Sequence, residues 1–161
     1  MPSFPSELAR AFARMAHHHA TSGDASPEDQ QAVAYASRVS IEQSLKSALE
    51  RAGYTEKEIR GHSHKLATLL IELGKCTVTE SVTAGRLQAV SASRLRSKTI
   101  HWKGGQVTLG DIIDSPETST FPAEYRYGKP PTDYPAEVLS IAAQAVADWV
   151  AEHWDSLPRR Q

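Results

Sequence analysis

From Ser26 to Gly53 the chain carries one uninterrupted helical pattern, and no other stretch limits its possible folds as tightly. Ser26-Pro27-Glu28-Asp29 opens it. Serine caps, proline sits at the first helical position, and the two acids face the positive end of the helix dipole. Ser37, Ile41, Ser44, Leu45, Ala48, Leu49 and Ala52 then recur every three or four residues, which lines one face. Gly53 supplies the left-handed conformation that closes a helix. Such a helix runs for about 26 residues, or ~39 Å at 1.5 Å per residue. In a chain of 161 residues it has to be the spine of a bundle. Its small positions, Ala34, Ser37, Ser40, Ser44 and Ser47, permit close approach by a neighbour in the bundle or by a second copy of the chain.

Further helices are predicted on either side. Pro5-Ser6-Glu7 opens a first helix with Ser6 as cap and Leu8, Ala11, Phe12 and Met15 as its apolar face. Thr55-Glu-Lys-Glu58 has capping-box form, and Leu66, Leu69, Leu70 and Leu73 give a stripe that Gly74 stops. The next helix is predicted from Thr77-Val-Thr-Glu80, again of capping-box form, to about Leu95, with Val78, Val82, Ala89 and Val90 inward. Pro135 opens a final helix to about Ser156, with Val138, Ala142, Ala145 and Trp149 on one stripe. Leu139, Val146 and Val150 widen that arc until it touches more than one partner element.

Two segments break the helical rule. Thr99 to Leu109, TIHWKGGQVTL, alternates with period two around Gly104-Gly105 and predicts a β-hairpin. That turn pairs Trp102 with Val107 and Ile100 with Leu109, leaving His101 and Thr108 on the polar face. Asp111 to Tyr134, with Pro116, Pro122, Pro130 and Pro131, predicts an ordered loop pinned by Phe121, Tyr125, Tyr127 and Tyr134. The fold expected from all of this is an all-α, up-and-down bundle of about five helices with one inserted hairpin, in a single domain over 1–161.

The helical hairpin resembles that of the HEPN superfamily. Glu42, Leu45 and Lys46 in IEQSLKSALERAGY, then Gly53, then His64 and Leu66 in HSHKLATLLIEL, occupy the positions of the family's helix, glycine break and second helix start. Glu124-Tyr-Arg-Tyr127 is similar to the Arg-Tyr element ahead of the last helix in one branch. The resemblance implies a homodimer acting on or binding RNA or nucleotide phosphates. The setting would be toxin–antitoxin, defence or RNA processing, where an antitoxin is a natural protein partner. Active members use an Arg, four to six residues and a His, and need neither metal nor cofactor. In them Arg stabilises phosphate and His handles the proton of a ribose 2′-hydroxyl. Arg96 and His101 have that spacing here, as do Arg94 with His101 and Arg14 with His19. The hairpin prediction opposes the first assignment, because it puts His101 on a strand.

Charge narrows the rest. A net charge of −1 excludes a generic polyanion binder. Between Glu80 and Asp111, however, no acid occurs, while Arg86, Arg94, Arg96, Lys98 and Lys103 all do, with Trp102 beside them. Cations next to an aromatic suit phosphate and base recognition, and they equally suit a solvated face balanced by acids from elsewhere. Arg126 either clamps a phosphate beside Tyr127 or pairs with Glu124 or Glu137 to pin its loop. A helical adaptor whose basic patch docks an acidic protein is the reading without catalysis.

The remaining candidates are weaker. His17-His18-His19 cannot converge on one metal from a helix, since neighbours diverge by about 100°. His62 and His64 lack a third ligand nearby, so His64 reads as a cap-region residue. Cys76, the single cysteine, excludes an internal disulfide and reads as a packed small hydrophobe. No apolar run reaches membrane-spanning length and no leader segment is apparent, so a cytoplasmic location is expected.

Overall fold

A computed structural model describes residues 3–23, 26–119 and 133–157. The spine is where the sequence puts it. Helix α2 spans Pro27–Arg51, with a capping box between Ser26 and Asp29. Its far end is a Schellman closure: Tyr54 N–H donates to the Leu49 carbonyl and Gly53 N–H to that of Glu50, both at 3.0 Å. Gly53 has φ +90°, as that closure requires. Helices α1 (Ser6–Thr21) and α7 (Ala136–His153) pack along α2 and against each other, so three long helices enclose the main core. Ile41, Leu45 and Leu49 are fully buried there, each contributing about 1.5–3 kcal/mol.

The small-residue stripe of α2 serves packing within this bundle. Ser37, Ser40, Ser44 and Ser47 are all buried, and Ser40 Oγ donates to the Ala9 carbonyl of α1 at 2.7 Å. Close approach also decides which face of α1 turns inward. The buried residues are Ala9, Ala13 and Ala16, while Leu8 and Met15 remain 48 % and 47 % exposed. The predicted Leu8–Ala11–Phe12–Met15 face is therefore not the core face. Larger side chains would hold α1 off the serine stripe, so alanine wins the contact. Ser6 begins the helix, the capping position belongs to Pro5, and no side chain caps it.

After Gly53, α3 (Glu56–Gly61) uses the Thr55–Glu58 capping box, and α4 (Leu66–Gly74) buries Leu66, Leu69, Leu70 and Leu73 against the spine. The all-α expectation fails beyond Gly74. The chain is mixed α/β, with two separate two-stranded antiparallel sheets among the described residues. In place of a helix to Leu95 there is a hairpin of β1 (Thr77–Thr83) and β2 (Arg86–Ser91), followed by a 3-10 turn at Ala92–Ser97. Thr77-Val-Thr-Glu-Ser-Val-Thr83 alternates with period two and is rich in β-branched residues, which outweighs its capping-box form. Ala84 and Gly85 form the turn with φ +44° and +78°. Left-handed φ at both positions is what a type I′ hairpin needs.

The second hairpin is present as β3 (Thr99–Trp102) and β4 (Gly105–Thr108), turning at Lys103-Gly104. Ile100 pairs with Val107 and Trp102 with Gly105, so the expected pairs are displaced by two residues. The cause is Leu109. It is buried as the first residue of α5 (Leu109–Asp114), whose N-cap Thr108 accepts from Asp111 N–H. A residue taken into a helix cannot also pair with Ile100. A two-residue displacement keeps every side chain on its face, so Ile100 is buried and His101 exposed as read from sequence. The short helix α6 (Pro116–Ser119) follows. Phe121, Glu124, Tyr125, Arg126 and Tyr127 lie outside the described residues.

Candidate functional site: a basic surface on the turn and second hairpin

The 3-10 turn is anchored from below. Ala92 N–H donates to the Cys76 carbonyl at 2.9 Å, and Ser91 Oγ donates to the Gly74 carbonyl at 3.0 Å. With three residues per turn, Ala92 and Leu95 both face the core. Arg94 and Arg96 therefore point away from it. Each meets a carboxylate from another element: Arg94 Nη1 lies 3.3 Å from Glu80 Oε2 on β1, and Arg96 Nη2 pairs with Asp114 Oδ2 at the end of α5. The acid-free window of the sequence is thus partly neutralised in space. The stem of Arg96 also lies across Gly110, where an added Cβ would sit 2.7 Å from its Cγ.

Lys98 and Lys103 differ from these arginines. Both are exposed, at either end of β3, and neither forms an ion pair among the described residues. The Lys98 carbonyl accepts from Leu109 N–H at 2.8 Å, closing the base of the hairpin. Thr99 and His101 occupy the exposed face of β3. Half-buried Trp102 folds over the turn, its indole Nε1 only 2.5 Å from where a Gly104 Cβ would stand. Arg86 is exposed too, but it sits at the far end of the first hairpin. Arg96 and His101 occupy the 3-10 turn and a strand, and no hydrogen bond joins them. Arg126 and Tyr127 are outside the described residues.

An open concavity of about 560 Å³ borders this region, lined by Asp111, Asp114, Ser115, Pro116, Asp133 and Tyr134. Three carboxylates disfavour phosphate there, so the cationic surface is that of the hairpin and turn. No group of three His, Cys, Asp or Glu among the described residues could hold a metal ion. His17, His18 and His19 are exposed near the end of α1.

A second polar constellation is buried along α2 at Arg38, Glu42 and Lys46, with exposed His64 at its edge. Glu42 Oε1 receives Lys46 Nζ and His64 Nδ1, both at 2.7 Å, and its Oε2 receives Arg38 Nη1 at 3.0 Å. Arg38 Nη2 also donates to the His64 carbonyl. Burial by itself pushes the Glu42 carboxyl up. Hydrogen bonding and charge from Lys46, then His64, outweigh that and hold it below the ordinary carboxylate range. The family pattern named Glu42, Lys46 and His64, but sequence reasoning missed Arg38 and treated His64 as a cap residue. The spacing of 38, 42 and 46 by four was the available signal, since it puts alternating charges on one helix face.

No described helix is long and apolar enough to cross a membrane. No family model, curated protein or solved structure matches this chain.

Proposed function

We propose that this chain binds the phosphates of RNA through the face built by the 3-10 turn and the β3–β4 hairpin. The observation that carries the reading is Lys98 and Lys103, both exposed and without an acidic partner among the described residues, flanking strand β3, which presents His101 on its exposed face. The four residues of β3 lie between the two lysines, five steps of chain that span roughly 17 Å when extended. That span exceeds one mononucleotide and suits phosphates several positions apart on a polynucleotide rather than adjacent ones. Arg94 and Arg96 flank the surface with their charge already engaged, while half-buried Trp102 packs against the core from the Ile100 face of β3. The resemblance to HEPN proteins points in the same direction.

Binding fits this arrangement better than cleavage. A general base has to be oriented toward the proton it takes, and no hydrogen bond fixes the His101 ring among the described residues. Arg96, the partner that would stabilise phosphate, is paired with Asp114. The test is fluorescence anisotropy with a single-stranded RNA across a salt series, alongside an RNA cleavage assay in excess EDTA. The double change Lys98→Ala and Lys103→Ala should weaken binding and flatten the log–log salt slope by about 1.4, at roughly 0.7 per lost contact on single strands. An affinity indifferent to salt and to both lysines would refute the reading. Cleavage abolished by Arg96→Ala and His101→Ala would instead establish the ribonuclease.

A further inference from the structure

Among the described residues, little fastens the first hairpin to the rest of the molecule. Val78 and Val90, paired across its strands, are its buried side chains, and every residue from Ser81 to Ala89 is exposed, Leu87 at 70 %. An isolated two-stranded hairpin is marginally stable in water. Whatever grips its base therefore decides whether it stays docked.

The polar grip is Glu80, midway along β1. Its Oε2 faces Arg94, and its Oε1 lies 3.4 Å from Nε2 of His153, the last residue of α7. His153 is 3 % exposed. Its Nδ1 lies 2.8 Å from the Trp149 carbonyl oxygen, and its ring stacks on the Trp149 indole with centroids 4.4 Å apart. A carbonyl only accepts, so Nδ1 carries a hydrogen. In the neutral ring Nε2 then turns a lone pair toward a carboxylate, and among the described residues this buried nitrogen completes no hydrogen bond. Only the imidazolium carries the positive charge that attracts Glu80, across an ion-pair distance of 3.4 Å rather than through a hydrogen bond.

We propose that His153 and Glu80 form a proton-operated latch that fastens the β1–β2 hairpin to the end of α7. The latch is closed when the ring is charged and loosened when it is neutral. Histidine is the side chain that ordinarily changes charge between pH 5 and 8. The charged groups around the ring are few. Glu80 comes from β1, and Arg94 from the 3-10 turn competes for the same carboxylate. Strand β3 turns Ile100 inward and His101 outward. From α2, Arg51 donates to the Trp154 carbonyl at 2.9 Å and lies 3.9 Å from Asp155. Glu152 on α7 itself is exposed, as are the charged side chains of α1 and α5.

Hydrogen exchange on the full chain between pH 5.5 and 8, corrected for intrinsic exchange rates, tests the latch. In the wild type, amides of Val78–Ser81 and Leu87–Val90 should gain about two- to fivefold protection at the lower pH, the range of a part-exposed ion pair. Glu80→Gln should abolish or reverse this gain, because a glutamine amide can donate to the neutral Nε2. His153→Gln should remove it as well, and if that variant fails to fold, Glu80→Gln carries the test alone. Equal protection at both pH values in the wild type, or an unchanged gain in Glu80→Gln, would overturn the latch.

Discussion

Arg38 Nη1 lies 3.0 Å from Glu42 Oε2, with the two side chains 1 % and 5 % exposed. The pair is the inner end of a run of charges along α2 that Lys46 continues, and His64 ties it to the segment entering α4. Buried charges of this kind add little over an apolar core of the same shape, yet they are costly to break singly. Here they also fix the register between the spine and the chain that returns along it, because Arg38 holds the His64 carbonyl while Glu42 holds the His64 ring.

Glu42→Gln should therefore destabilise the fold by about 3–5 kcal/mol at neutral pH, since two buried cations lose this carboxylate. Urea denaturation measures it. The sign with pH follows from the lowered carboxyl. Its contribution is present in full above the unfolded carboxylate range, near about 4.3, and is lost as pH falls through the lower folded value. The gap between wild type and variant should hold steady above about pH 5 and shrink in acid. A gap that widened in acid would contradict the arrangement.

Ala84 holds φ +44° in the turn of the first hairpin. A side chain with a Cβ is strained there by about 1–2 kcal/mol, and asparagine tolerates the region better. Ala84→Asn creates the Asn-Gly pair that type I′ turns favour. We expect a gain of about 0.5–1 kcal/mol, read as slower amide exchange confined to β1 and β2. Unchanged exchange would show that the turn is not what limits hairpin opening.

Gly110 leaves room for Arg96. A Cβ there would meet the Arg96 backbone oxygen at 3.1 Å as well as its Cγ at 2.7 Å, and the backbone cannot swing aside as a side chain can. Gly110→Ala should cost about 1–3 kcal/mol. Arg96→Ala, which only removes a half-exposed pair with Asp114, should cost at most about 1 kcal/mol. Thermal melts of the two variants give the ranking, and the reverse order would mean that the pair outweighs the packing.

Some of the candidate surface is legible in the sequence. His101 stands where the alternating pattern puts it, because a period-two strand fixes its faces even when its register is two residues off, whereas Lys98 precedes the strand and Lys103 lies in the turn, where alternation assigns no face. The carboxylates that engage Arg94 and Arg96 could not be read so. The local pattern predicts a helix at Glu80 and a loop at Asp114, and nothing local to either segment records the other. His153 was legible only as a residue in the last helical turn, since its partner lies more than seventy positions earlier in the chain.

By itself the sequence determined the spine from Ser26 to Gly53, its two capped ends, the leucine stripe of α4, the last helix and the existence of a second hairpin. Those features rest on interactions within a few residues of one another, so local chemistry specifies them. Only the tertiary structure decided that α1 turns its alanines inward, because that choice depends on how closely the serine face of α2 lets it approach. It also decided that Thr77–Ser91 is a hairpin, where Ala-Gly disguises a turn that Asn-Gly would have announced. The side on which free positive charge survives was settled there too, since neutralisation depends on distances across the fold.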